Sequence, residues 1–135
     1  MDFAWREEYA YGIASMDADH QELLGMARGM MRALHEGEPE EEVRRLLEEA
    51  LDALRRHMSA EEDLLRQARY PGLAGHKREH DDITRALLEY REHVASGAAR
   101  VDESVVEFVY HWFVTHMRHE DRAAAEFLTQ LAKAS

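Results

Sequence analysis

Histidines and carboxylates recur at a helical interval in this sequence. His57 and Glu61 are four residues apart, and so are His76 and His80. On an α-helix, residues at that spacing share a face, so each pair can point at one ion. His20 is in phase with Leu23, Leu24 and Ala27 and faces inward with them. His116 lies between Trp112 and Phe113 on one side and Asp121 on the other, and Asp121 follows it by five. Five residues of an ideal α-helix turn about 140°, so both side chains reach one axis only if the helix widens locally. A π-bulge between His116 and Asp121 is therefore predicted.

The resulting donor set is His20, His57, Glu61, His76, His80, His116 and Asp121. Five imidazoles with two carboxylates suit iron, manganese or zinc, and the lack of sulfur disfavours copper(I). Seven donors exceed what one ion takes. Two metal ions are implied, with the carboxylates bridging them. A core of histidines satisfied by hydrogen bonds alone is disfavoured, because an unpaired buried charge costs on the order of several kcal/mol.

Composition narrows the partners. The chain has 135 residues, no cysteine and a net charge of −11. Disulfides, thiolate metal sites and cysteine nucleophiles are excluded. The acidic balance opposes nucleic acid and anionic membranes alike. The first residues lack the pattern of a secretory signal, and no apolar run reaches the length of a membrane span, so a cytoplasmic protein is expected.

Four helices must position the donors, after an N-terminal arm over residues 1–15 that carries Phe3, Trp5, Tyr9, Tyr11 and Ile13. Apolar periodicity and turn residues predict helices at about 16–36, 39–67, 74–95 and 103–131. Gly37 stops the first, Pro39 opens the second, Pro71 and Gly72 mark the next turn, and Ser96-Gly97 ends the third. Asp102 is the expected N-cap of the fourth, and Asp17 and Asp19 the expected caps of the first. Short connections imply an all-α, up-down-up-down antiparallel four-helix bundle forming one domain over residues 1–135.

The order His20; His57-Met58-Ser59-Ala60-Glu61; His76-Lys77-Arg78-Glu79-His80; His116-Met117-Arg118-His119-Glu120-Asp121 resembles the hemerythrin family in its bacterial single-domain form. Trp5, Gly12, Ile13 and Asp17 resemble that family's N-terminal pattern, and Tyr70-Pro71 its interhelix turn. The resemblance implies a cofactor of two iron ions joined by an oxo or hydroxo bridge. His76, His80 and His116 would hold one iron and His20 and His57 the other, with Glu61 and Asp121 bridging. One coordination position of the two-histidine iron would stay open for dioxygen. The implied function is reversible dioxygen binding for storage, delivery or sensing, without catalysis, in a monomer or weak homo-oligomer. The alternative is a di-iron enzyme acting on peroxide or nitric oxide, which would need a proton donor beside the open position.

Three positions depart from the family's usual residues. Met58 stands where Phe is common, Phe113 where Leu is common, and Met117 where Ile or Leu is common. By the resemblance they line the oxygen pocket, and the swaps are expected to reshape access to it. Asp19 stands where Gln is usual, which bears on support for a neighbouring histidine. His35, His93, His111 and His119 fit no ligand position and are expected on solvated faces, and Trp5 and Trp112 are expected to be packing anchors.

Overall fold

The structure, a computed structural model, describes residues 5–134, so Phe3 of the expected arm lies outside the described residues. After a short 3-10 turn at Glu7–Tyr9 come α1 (Ala14–His35), α2 (Glu40–Gln67), α3 (Leu73–Ala95) and α4 (Glu103–His116). A π-helical turn, Met117–Asp121, then leads without a break into α5 (Arg122–Ala134). The expected fourth helix is thus one rod with a widened middle. Among the described residues there is no strand, and the architecture is an all-α four-helix bundle. None of the described helices is long and apolar enough to cross a membrane.

The stripe on α2 shows how the sequence builds such a rod. Its exposed face is filled with straight-chain Glu and Arg, which lose little rotamer freedom in a helix. Val43, Leu47, Leu51, Leu54 and Met58 recur at three- and four-residue steps, the stripe continues through Glu61 to Leu65, and all are buried. They pack α2 against α1 on one side and α3 on the other, while α1 also packs against α4. One apolar cluster, including Met30, Leu47, Leu87 and Val106, fills the half of the bundle away from the arm. A second, Tyr9, Leu24, Phe113 and Met117, lies under the arm.

The helix ends explain where the rods stop. Asp102 caps α4 by accepting the Val105 N–H at 3.2 Å, as its sequence position indicates. The start of α1 requires a correction. Ile13 is the N-cap, and Asp17 sits inside the first turn, where its carboxylate accepts the Tyr11 N–H at 2.9 Å and the Gly12 N–H at 3.2 Å. Gly12, at φ +79°, turns the chain so that these two amides face back onto the helix. Asp19 caps nothing and serves a histidine instead, as described below.

Both α1 and α2 finish in the same reciprocal pattern, with paired amides closing back on the last turn. In α1 the Gly37 and Glu38 N–H groups donate to Leu34 and Ala33, and in α2 those of Arg69 and Tyr70 donate to Arg66 and Leu65. Gly37 occupies the left-handed position of the first at φ +68°, whereas Arg69 occupies that of the second at φ 58°. A residue with a Cβ pays roughly 1–2 kcal/mol for that conformation, partly offset by its lower freedom when unfolded. Arg69→Gly is therefore expected to raise stability by about 0.5–1 kcal/mol, read as a higher denaturation midpoint with an unchanged slope.

Candidate metal centre

All seven donors are buried, from 0% exposure for His20, His76 and Asp121 to 7% for His57. Each helix delivers its share for a local reason. The four-residue spacing puts His57 above Glu61 on α2 and His76 above His80 on α3. The π-turn brings Asp121 onto the face of His116. There the Arg122 N–H reaches the Met117 carbonyl five residues back, where an α-helix would bond four back. The widening inferred from a five-residue interval is present at the residues that required it.

The two carboxylates divide their oxygens between two groups of imidazoles. Glu61 Oε1 faces His76 and His80, in contact with the Nε2 of His76 and 3.4 Å from that of His80. Its Oε2 faces His57 at 3.3 Å and His20 at 4.0 Å. Asp121 repeats the pattern, with Oδ1 at 3.1 Å from both His76 and His116 and Oδ2 at 3.2 Å from His20. Two overlapping nests result, one of His76, His80 and His116 and one of His20 and His57, and both share Glu61 and Asp121. Within each nest the donor atoms lie within 4.8 Å of one another.

This arrangement calls for cations. The Nδ1 atoms of His57, His80 and His116 sit against outer carboxylates: Asp19 at 3.0 Å, Glu62 at 2.8 Å and Glu79 at 3.0 Å. A proton held on Nδ1 leaves Nε2 as a bare lone pair. The Nε2 atoms of His80 and His116 are 3.0 Å apart. Two inward lone pairs at that distance, beside carboxylate oxygens, repel unless a positive charge lies between them. Both ring nitrogens of His20, the Nδ1 of His76, Glu61 Oε2 and both oxygens of Asp121 also lack hydrogen-bond partners. Buried orphans of this kind fit metal ligands.

Without metal, protons take that role. Burial alone would lower the pKa values of His57, His76 and His116, but the carboxylates outweigh it. Glu61, Asp19 and Asp121 raise His57 to about 9, and Asp121 and Glu61 raise His76 to about 10. His116 is raised too, against its burial, by Asp121 and Glu79. Burial pushes both carboxylates up, yet the imidazoles packed around them leave Glu61 and Asp121 below the ordinary range.

Aromatic rings enclose the centre. Trp112 stacks on His116 with centroids 4.8 Å apart and planes 10° apart, so it is a packing anchor for a donor ring. Phe113 meets His20 edge-on at 5.5 Å. Tyr11 meets the same ring at 5.8 Å, and its hydroxyl donates to the Met117 carbonyl at the start of the π-turn. The Arg122 guanidinium, just past the other end of the turn, lies over the Tyr11 ring at 5.5 Å. The arm therefore clamps the π-turn. The sequence offered Tyr11 only as one arm aromatic among several, since nothing in its spacing marks a contact more than a hundred residues away. Of the expected pocket residues, Met58, Phe113 and Met117 are all buried. His35, His93, His111 and His119 are exposed, as expected.

With this geometry in view, the comparisons with known proteins decide the family. Residues 11–128 match the family described as the hemerythrin HHE cation binding domain. The chain belongs to the hemerythrin family. Its similar relatives include a bacteriohemerythrin of Stenotrophomonas maltophilia, 28% identical over 90% of this chain and 78% of that one. Another is a bacteriohemerythrin of Methylococcus capsulatus, 24% identical over 85% of this chain and 87% of the relative. The fold matches a crystal structure of wild-type hemerythrin at a TM-score of 0.88, with 23% identity over 93% of this chain and 96% of that one. Hemerythrins carry a di-iron cofactor and bind oxygen, and the buried cluster of this chain is able to hold such a pair of ions.

Two outcomes follow. His57 and His76 are raised in the folded protein, so their contribution to stability is complete below about pH 6.5 and is lost as pH rises through about 9 to 10. The chelator-treated protein should accordingly melt at steadily lower temperature across that window. The metal-loaded protein should not, because metal replaces those protons. Separately, Tyr11→Phe keeps the ring and removes the clamp. It should cost about 1 kcal/mol and speed amide exchange within the π-turn, both measured on the metal-free protein.

Proposed function

We propose that this hemerythrin binds dioxygen reversibly, with His76, His80 and His116 on one iron, His20 and His57 on the other, and Glu61 and Asp121 bridging. The observation that carries the reading is the division of each bridging carboxylate, one oxygen toward each group of imidazoles. Three histidines and two carboxylates would hold one iron, and two histidines with the same carboxylates would hold the other with one protein ligand fewer, leaving it the room for a gas. When bound, the iron pair supplies the electrons and the vacant position through which dioxygen can be held and released.

The chain's own residues supply the rest. Phe113 packs on His20 of the two-histidine group, and Met58 and Met117 are buried in the same bundle, which supports their assignment to the oxygen pocket. A cavity of about 80 Å³ between α1, α2 and α4 is lined by Leu24, Leu54, Val106 and Phe113 among other apolar side chains. Such a lining stays dry and admits small apolar molecules. The Tyr11 phenol is spent on the Met117 carbonyl, and burial beside Asp121 holds its pKa well above the ordinary value. His119 faces solvent. This supports binding over peroxide or nitric oxide chemistry. The net charge of −11 supports a monomer or weak homo-oligomer.

The test is direct. Iron-supplied protein should carry two irons per chain, and the reduced form should gain an oxygen-dependent visible band that disappears on degassing through repeated cycles. His57→Ala should abolish the band while retaining part of the iron. A normal band in that variant would overturn the ligand assignment, and irreversible bleaching with peroxide turnover in the parent would replace binding with catalysis.

A further inference from the structure

The three outer carboxylates follow a rule around the bundle. Each stands directly beside a metal-donor residue in sequence and supports an imidazole on the next helix along the chain. Asp19, next to His20 on α1, holds His57 of α2. Glu62, next to Glu61 on α2, holds His80 of α3. Glu79, next to His80 on α3, holds His116 of α4. The ring does not close from the fourth rod back to the first. The Nδ1 atoms of His20 and of His76 have no partner, and the His20 ring lies between Tyr11 and Phe113.

A hydrogen bond from Nδ1–H to a full negative charge pushes electron density onto Nε2 and makes the imidazole a stronger donor. A stronger, more negative donor set favours the ion of higher charge. With Glu61 and Asp121, this places five carboxylates about the centre. We infer that Asp19, Glu62 and Glu79 form a redox-tuning ring that biases the iron pair toward its oxidised state, so that the protein retains dioxygen instead of delivering it readily. The inference rests on the oxygen-binding reading above. It assigns these three side chains as positioning and tuning residues, not as ligands.

Burial ranks their effects. The Glu62 side chain is 14% exposed, whereas those of Asp19 and Glu79 are each 42% exposed and screened by water. Removal of the Glu62 charge should therefore matter most.

The experiment uses amide replacements, Asp19→Asn, Glu62→Gln and Glu79→Gln, in the full, iron-loaded chain. An amide oxygen still accepts the Nδ1–H bond, so a purely structural role is preserved and only the charge is lost. The midpoint potential is read by anaerobic spectroelectrochemistry, in which each ferric ion takes one electron from the electrode. Glu62→Gln should shift the ferrous-to-ferric ratio at fixed potential about tenfold toward ferrous, equivalent to a rise of about 59 mV for a one-electron couple. The other two should shift it in the same direction by less, and all three should release dioxygen faster. Glu22→Gln, which removes a nearby exposed charge that holds no imidazole, is the control and should leave the potential in place.

Unmoved potentials in all three variants, or an equal shift in the control, would overturn the ring. Should a variant fail to hold two irons, metal release to a chelator decides the matter instead. The ring requires the ferric form to be weakened more than the ferrous form, and equal weakening would overturn it. The potential is read without gas. Its failure is therefore distinct from failure of the oxygen-binding reading, which would show as a two-iron protein with no oxygen-dependent band.

Discussion

Mutual repulsion among inward-facing lone pairs is the constraint on which the rest of this structure depends. Five imidazoles and two carboxylates converge in the core, and the Nε2 atoms of His80 and His116 come within 3.0 Å of each other. A protein core tolerates that only if positive charge occupies the space between the donors. Protons can supply it, and the neighbouring carboxylates favour the protonated forms of His57 and His76. Iron supplies it better, with more charge and fixed coordination directions. The fold and the cofactor are in this sense one design, because the bundle concentrates donors that are costly to bury alone.

Holding those donors in place takes more than helix packing. The π-turn stores an extra residue in the fourth rod so that His116 and Asp121 share a face. A widened turn weakens the local backbone ladder, and the arm compensates for it. Tyr11 bonds one end of the turn and stacks under Arg122 at the other, while Asp17 fastens the Tyr11 and Gly12 amides to α1. The arm thus adds a second link between α1, which carries His20, and the segment that carries Asp121, beside the packing of α1 on α4.

Asymmetry around the centre bears on what it does. Two of the three outer carboxylates serve the three-histidine group and one serves the other. His20 and His76, one in each group, lack such support, and the His20 ring stands against Phe113 and Tyr11.

The sequence by itself determined the rods, the donor set and the widened turn. Periods of three, four and five residues translate directly into faces of a helix, so His57 with Glu61, His76 with His80, and the His116–Asp121 interval were legible without coordinates. The helix stops at Gly37 and Gly97 were legible for the same local reason. Tertiary structure decided what depends on registers between helices. Asp19 reads as a cap from its neighbours, yet it supports His57, because only the packing of α1 on α2 brings them together. The Tyr11 clamp and the gap in the carboxylate ring at His20 are likewise contacts across the bundle. Periodicity fixes which way a side chain points from its own axis, but the height and rotation of one rod against another are set by packing summed over many side chains.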